Sequence, residues 1–165
     1  MIERTANLLG ALALAVGDRI DAAAWAATQR AGETPAALVL LGLTPGMSNE
    51  RLRRILELSH PGTVRLVDRL VADGLVERRA ARDAREVALH LTAAGRRCRN
   101  TLLKNRMSAL RPLVTTLSAA EQEILAALLH KLLAAIPGDE VEMYTICRLC
   151  DERVCADCPL PAPHA

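Results

Sequence analysis

The stretch LVADGLVERRAARDAREVALHLTAAGRR, residues 70–97, decides how this chain folds. Just before it, Leu66 to Val71 have helical hydrophobic spacing, and Gly74 is the residue type that ends a helix with a positive φ. Val87, Leu89 and Leu91 then alternate with Glu86, Ala88 and His90, which is the period of a half-buried strand. The stretch therefore predicts a helix, a strand, an arginine-rich turn, a second strand and a new helix.

The positive charge of the chain is concentrated around this stretch. Residues 51–99 hold twelve arginines against six acids, a net charge of +6. Residues 1–50 have three arginines against five acids, and residues 100–165 have six basic residues against eight acids, so each end is at −2. The pattern indicates that only the middle meets a polyanion, although charge alone leaves a merely solvated basic face open.

The rest of the chain is predicted to be helical. One Trp, one Tyr and no Phe leave Leu, Ala and Val to build the core, which favours helices packed on helices. A first helix extends to about Arg30, and the predicted fold is mainly α, in the order α-α-α-α-β-β-α-α, with a short cysteine-rich loop at the C-terminus. The signals for the later helix starts are Thr34–Pro35, Ser48, Ser59, Thr92 and a Ser118–Glu121 capping box.

Two of these helices, 49–58 and 60–73, follow each other with a tight connection. That spacing is typical of a helix-turn-helix, whose second helix enters the major groove of DNA. If the valines of the second helix face the core, Thr63, Arg65 and Arg69 face outward. Arginine offers a bidentate donor pair to guanine, and threonine offers a hydroxyl and a methyl group to bases.

At this point the chain resembles the MarR family of winged helix-turn-helix transcription regulators. The residues that carry the resemblance are RLVDRLVADGLVERR at 65–79, RDAR at 82–85 and LHLTAAGRR at 89–97. The resemblance implies that Asp83 braces the wing hairpin and that Arg82 and Arg85 lie nearest the DNA. The candidate DNA-binding residues are Ser59, His60, Thr63, Arg65, Arg69, Arg79, Arg82, Asp83 and Arg85.

The resemblance also implies an assembly. A winged-helix domain over residues 1–138 would have its DNA-binding lobe at about 34–97 and dimerisation helices at about 3–31 and 92–136. The implied function is that of a homodimeric repressor, which binds a palindromic operator in double-stranded DNA and is released by a small-molecule effector. The outer helices are independently too apolar for one small monomer, which favours a two-fold dimer. The lone Trp25 is expected to be a core residue.

Residues 139–165 form a separate tail, which contains the pattern C-x2-C-x4-C-x2-C. Its cysteines can supply the four thiolates of a closed zinc site, so zinc is the expected cofactor. An iron–sulfur cluster, a reversible disulfide switch and an inert tail stay open as alternatives. The candidate metal ligands are Cys147, Cys150, Cys155 and Cys158.

The function predicted from sequence is thus a DNA-binding transcription regulator with a metal- or redox-linked tail. The alternative is a redox, iron–sulfur or metal-sensing protein whose primary site is that tail. No H-E-x-x-H, G-x-S-x-G or phosphate-binding glycine loop is present, so we do not expect an enzyme. No run reaches the roughly 20 apolar residues of a membrane span, and we expect a cytoplasmic protein with no membrane partner.

Overall fold

The computed structural model of the chain describes residues 1–80, 87–136, 138–155 and 158–160. Helices and a small sheet alternate along these residues. The helices are α1 (Ile2–Thr28), α2 (Thr34–Leu43), α3 (Asn49–Ile55), α4 (His60–Ala72), α5 (Ala93–Val114), α6 (Ala119–Ala134) and α7 (Glu140–Cys147). The strands are β1 (Met47–Ser48), β2 (Val76–Ala80) and β3 (Val87–Leu91). The predicted winged helix-turn-helix class is confirmed.

The sheet is antiparallel, with β3 between β1 and β2. Val76 pairs with Leu91 and Ala80 with Val87, so β2 and β3 form the predicted ribbon. Strand β1 pairs Met47 with Leu89 and was not predicted, because two residues are too few to show an alternating pattern. It ties the segment that precedes α3 to the ribbon.

The core is built around α2. Every residue from Thr34 to Leu41 is buried, so this helix has no polar face and must be covered on all sides. On one side it packs with α3, α4 and the sheet, and on the other Val39 packs with Leu102 and Leu103 of α5. The aliphatic core predicted from composition is therefore present.

The long helices have a different character. Helix α1 lies along α5, but its N-terminal half is exposed, and α6 has no buried residue at all. Among the described residues, no helix is both long and apolar enough to cross a membrane.

Capping side chains begin four of the helices where the sequence predicted. Ser48 accepts from the Arg51 amide and Thr92 from the Gly95 amide, while Ser118 and Glu121 form a reciprocal capping box. Thr34 differs, because it is the first helical residue and Glu33 is the N-cap.

The tail is more ordered than its prediction as a loop. Residues Glu140–Cys147 form the helix α7, which begins at a capping box between Asp139 and Glu142. Tyr144 is buried in the main core, and the Thr145 hydroxyl donates to the Ile55 carbonyl at 2.9 Å. This helix was missed because its side chains have almost no amphipathic pattern; the buried face is essentially one aromatic residue.

The start of α5 depends on Gly95. A Cβ at this position would overlap the carbonyl oxygen of Leu75, an atom that also accepts from the Thr92 amide at 3.0 Å. The close approach holds the beginning of α5 against the beginning of β2. Only glycine fits there without displacing the backbone.

We therefore expect Gly95→Ala to lower the free energy of unfolding by about 1–3 kcal/mol, the usual cost of overpacking. Urea denaturation monitored by circular dichroism measures this change. Ala93→Ser, on an exposed position of the same turn, should change it by less than about 0.5 kcal/mol. Equal stabilities of the two variants would contradict the role given to Gly95.

Candidate nucleic-acid interface

Helix α4 begins at a side-chain cap. Ser59 Oγ accepts a hydrogen bond from the Gly62 amide at 3.2 Å, and His60 is the first helical residue and is exposed. Thr63 was predicted to face outward, and this is wrong: it is only 1% exposed, and its hydroxyl donates to the Ser59 carbonyl at 3.1 Å. The Thr63 hydroxyl therefore stabilises the first turn of α4 and is not accessible to a ligand.

The outer face of α4 carries two arginines. Arg65 and Arg69 are exposed, while Leu66, Val67 and Leu70 on the opposite face are buried. Neither guanidinium forms an ion pair with any residue that the structure describes. Both arginines thus keep their full hydrogen-bonding capacity for a partner.

The base of the wing is fixed to α4 by an ion pair that the sequence did not reveal. Arg78 on β2 donates to Asp68 on α4 at 2.6 Å, which sets the direction in which the ribbon leaves the helix. Arg79 is exposed, and its Nε donates to Glu77 at 3.0 Å. The predicted wing-tip residues Arg82, Asp83 and Arg85 lie outside the described residues, and their roles stay predictions.

Helix α3 directs one of its arginines toward the tail. Arg51 donates to Glu140 at 2.6 Å, and its guanidinium carbon lies 4.9 Å from the centre of the Tyr144 ring. Arg53 is paired with Glu50 on the same helix. The hydrogen bond and positive charge of Arg53 lower the pKa of Glu50 below its ordinary value. Arg54 is exposed and forms no ion pair with any described residue.

The tail is attached to α5 by a second ion pair. Arg99 is 8% exposed, and its Nη2 donates to both carboxylate oxygens of Glu152 at 2.6 Å. Burial opposes the charged form of Glu152, but the hydrogen bond and charge of Arg99 outweigh it, and the pKa of Glu152 is lowered. Leu160, farther along the tail, is buried as well.

The four tail cysteines are all among the described residues. The Cys150 amide donates to the Cys147 carbonyl at 2.8 Å, so the first C-x2-C pair forms one turn. Neighbouring thiols affect the pKa values of Cys147, Cys150 and Cys155. Within the described ranges, however, no three His, Cys, Asp or Glu side chains converge as metal ligands. The zinc, iron–sulfur and disulfide expectations therefore stay predictions.

Neighbouring groups change the acidity of these thiols. The hydrogen bond from the Cys147 thiol, together with the charge of Arg106, lowers the pKa of Cys150 to about 6 against the effect of burial. The hydrogen bond with Cys150, burial and the neighbouring thiols raise the pKa of Cys147. Cys98, far along the chain, is half-buried against the core, and burial raises its pKa. Cys98 thus packs as a small hydrophobic residue.

A cavity of about 340 Å³ lies between α1 and the start of α2. Trp25 lines it together with Arg30, and Arg148 and Leu149 of the tail close one side. Trp25 is 51% exposed, so its prediction as a core residue is wrong. The reason is that α1 faces the core through its small residues Ala23 and Ala24 instead.

Residues 34–86 match the family model described as "MarR family". The winged lobe is thus similar to that of the MarR family. Its fold is also that of solved MarR-type structures, although no curated protein sequence matches the chain. Rv1404 from Mycobacterium tuberculosis has 20% identity and a TM-score of 0.74, covering 84% of this chain and 96% of its own.

Two further structures of this type contain ligands. A variant of MepR from Staphylococcus aureus, bound to an oligodeoxyribonucleotide, has 20% identity and a TM-score of 0.61, covering 81% of this chain and 98% of its own. Rv2887 from M. tuberculosis, in complex with salicylic acid, has 25% identity and a TM-score of 0.57, and the match covers 75% of this chain and 95% of Rv2887. These shares cover most of each relative and leave part of this chain unmatched.

The Arg99–Glu152 pair gives a prediction for Glu152→Gln. The variant should lose about 1 kcal/mol of unfolding free energy at pH 7. This value is at the low end for a hydrogen bond to a charged group, because Glu152 is partly exposed and solvent weakens the pair. The pKa of Glu152 is lowered from 4.5, so the pair contributes fully above pH 4.5 and is lost as the pH falls through the lower folded-state pKa. Urea denaturation at pH 7 and at pH 3 measures both effects.

The matched control is Glu57→Gln, an exposed glutamate without an ion pair among the described residues. It should match the parent protein at both pH values. A difference between Glu152→Gln and the parent that does not shrink from pH 7 to pH 3 would contradict the assignment.

Proposed function

We propose that this protein is a transcription regulator that binds double-stranded DNA as a homodimer, with α4 of each chain in the major groove. The observation that carries the proposal is the outer face of α4, where Arg65 and Arg69 are exposed and free of ion pairs with described residues. The match of the lobe to the MarR family and the DNA-bound MepR variant support the same reading.

In this proposal the two arginines read bases and other groups position the helix. A guanidinium can donate two hydrogen bonds to the O6 and N7 of guanine, a contact that distinguishes base pairs. Ser59 and His60 stand at the N-terminus of α4, where backbone amides and a small positive dipole favour a phosphate. Arg79 and the wing-tip residues Arg82 and Arg85 supply contacts to phosphates or the minor groove, with Asp83 as the brace of the wing.

The homodimer is proposed from the apolar residues that α1 and α6 leave in water. So many exposed apolar side chains on two long helices are typical of an interface rather than of a monomer surface. A two-fold dimer would present two α4 helices to half-sites one DNA turn apart, which requires a palindromic operator. The exposed side chains are Leu8, Leu9, Leu12 and Leu14 on α1 and Ile124, Leu128, Leu129, Leu132 and Ile136 on or after α6.

Repression is the simplest output of such a dimer, because a protein seated on a promoter excludes polymerase without any further contact. A small effector would relieve it by changing the spacing of the two lobes. The cavity beside Trp25 offers an aromatic surface and the cation of Arg148, whereas Arg30 is already paired with Asp73. An aromatic surface beside a cation suits a small aromatic acid. The salicylic acid complex of Rv2887 supports that class of ligand.

For DNA binding, we expect Arg65→Ala to cost about 1–3 kcal/mol, a factor of roughly 5–150 in Kd, on an operator selected from random duplexes. The loss should be much smaller on non-specific duplex, because the lost contact is to a base. Fluorescence anisotropy at fixed salt measures both affinities. Arg111→Ala removes the same charge from the exposed far end of α5 and should leave both affinities unchanged. An equal loss for the two variants would exclude a base-reading role for Arg65.

For the dimer, we expect Leu128→Asp combined with Leu132→Asp to convert a dimer into a monomer. Dimer formation would remove each carboxylate from water. Without a partner charge, the free energy of that desolvation opposes association. Light scattering after gel filtration measures the mass. Lys104→Asp, on the exposed side of α5, is the control and should remain dimeric. A parent protein that is monomeric at micromolar concentration would overturn the homodimer.

A further inference from the structure

A second cavity, of about 210 Å³, lies where the end of α2 meets the strands of the wing and the start of α5. It is at the opposite end of α2 from the cavity beside Trp25, which contacts the first residues of that helix. All of its polar side chains can donate hydrogen bonds, and no carboxylate lines it among the residues that the structure describes. These polar residues are Arg79, His90, Arg96, Arg99 and Asn100.

Arg99 gives this cavity a buried donor. The residue is only 8% exposed, and its Nε is buried without a hydrogen-bond partner among the described residues. Its Cδ and Nε lie against the backbone of Gly42, where an added Cβ would come within 2.3 Å of both atoms. Because Gly42 lines the cavity as well, the unused donor is located at the cavity wall. A buried N–H group without a partner is costly, which favours an acceptor supplied from outside the chain.

Arg96 contributes a second guanidinium. Its Nη1 donates to the Leu91 carbonyl at 2.9 Å, which holds the side chain at the end of β3. The residue is exposed and forms no ion pair with any described residue, so its other nitrogens are open to a ligand that enters from solvent.

The cavity also keeps an excess of positive charge. Arg79 is paired with Glu77 and Arg99 with Glu152, so its three guanidinium groups meet only two carboxylates among the described residues. Neither of these carboxylates lines the cavity. A cavity with this charge and these donors favours an anion.

We propose that this cavity binds a small phosphate monoester, whose phosphate group is held by Arg79, Arg96 and Arg99. Such a phosphate carries up to two negative charges and three acceptor oxygens. A planar guanidinium can donate two hydrogen bonds to these oxygens. A monocarboxylate has one charge and two oxygens, so it would leave more of the donors without an acceptor. Leu41 and Pro45 provide an apolar wall for the organic part, which the volume of the cavity limits to a few carbon atoms.

The ligand would link the wing to α5. Arg79 belongs to β2, whereas Arg96 and Arg99 belong to α5. Arg79 is also one of the proposed DNA contacts, so a phosphate that holds it in the cavity would compete with the DNA backbone. This weakening of operator affinity rests on the proposed function; the binding of the phosphate does not.

The test follows the amide chemical shifts of the isotope-labelled full-length protein, which is titrated with glycerol phosphate at constant ionic strength and without DNA. We expect saturable shifts at Gly42, His90 and Asn100, and a weaker affinity for acetate. Arg96→Gln should weaken the affinity for glycerol phosphate at least tenfold, because it removes a cation that contacts the phosphate. Arg97→Gln is the matched control, since it removes the same charge from the next residue, which is exposed and outside the cavity. It should change the affinity by less than twofold.

Arg79→Gln is a second variant on an exposed position. It should weaken binding several-fold while the protein unfolds in urea with unchanged cooperativity. The proposal is overturned if the shifts do not saturate, if acetate binds equally well, or if Arg96→Gln and Arg97→Gln lose the same affinity. Shifts confined to Ser59 and His60 at the start of α4 would overturn it as well. A protein that binds glycerol phosphate in the cavity but binds no duplex would support this site and refute the proposed function.

Discussion

The burial of α2 is the constraint on which the rest of the structure depends. A helix with eight consecutive buried residues, Thr34 to Leu41, is stable only if other elements cover every side of it. The winged lobe covers one side and α1 and α5 cover the other, so α4 and the long outer helices are fixed to a common centre. Helices α4 and α5 therefore both pack on α2.

This arrangement places the charged groups in two sets with different partners. One set joins elements of the chain to each other, as Arg78 does with Asp68, Arg51 with Glu140 and Arg99 with Glu152. In the other set, Arg65 and Arg69 on α4 have no ion-pair partner among the described residues. This basic region still exposes arginines on one helix after its internal ion pairs are formed. Such a surface favours the binding of an external polyanion. Net charge alone did not distinguish these two sets.

The sequence predicts correctly those helix and strand boundaries whose signals are local. Helix caps such as Ser59 and Thr92 and the glycine after α4 act within a few residues, and the structure has them where they were predicted. Strand β3 is present as well, but its predicted alternation is wrong at the start of the strand, where Val87 is exposed and Ala88 is buried. The errors have non-local causes. Helical spacing placed Thr63 on the exposed face, but its hydroxyl donates to the Ser59 carbonyl within the first turn of α4. Trp25 lies outside the core because α1 contacts the core through Ala23 and Ala24. Helix α7 and the three linking ion pairs depend on partners distant along the chain, which no periodicity reveals.

The central claim is that two copies of α4 meet one duplex at successive major grooves. Hydroxyl-radical footprinting on an operator selected from random sequence tests this most directly, because it maps the protected backbone at single-nucleotide resolution. The account predicts two symmetric protected patches on one face of the duplex, with centres about 10 base pairs apart. A single protected patch, or a selection that enriches no palindrome, would contradict it.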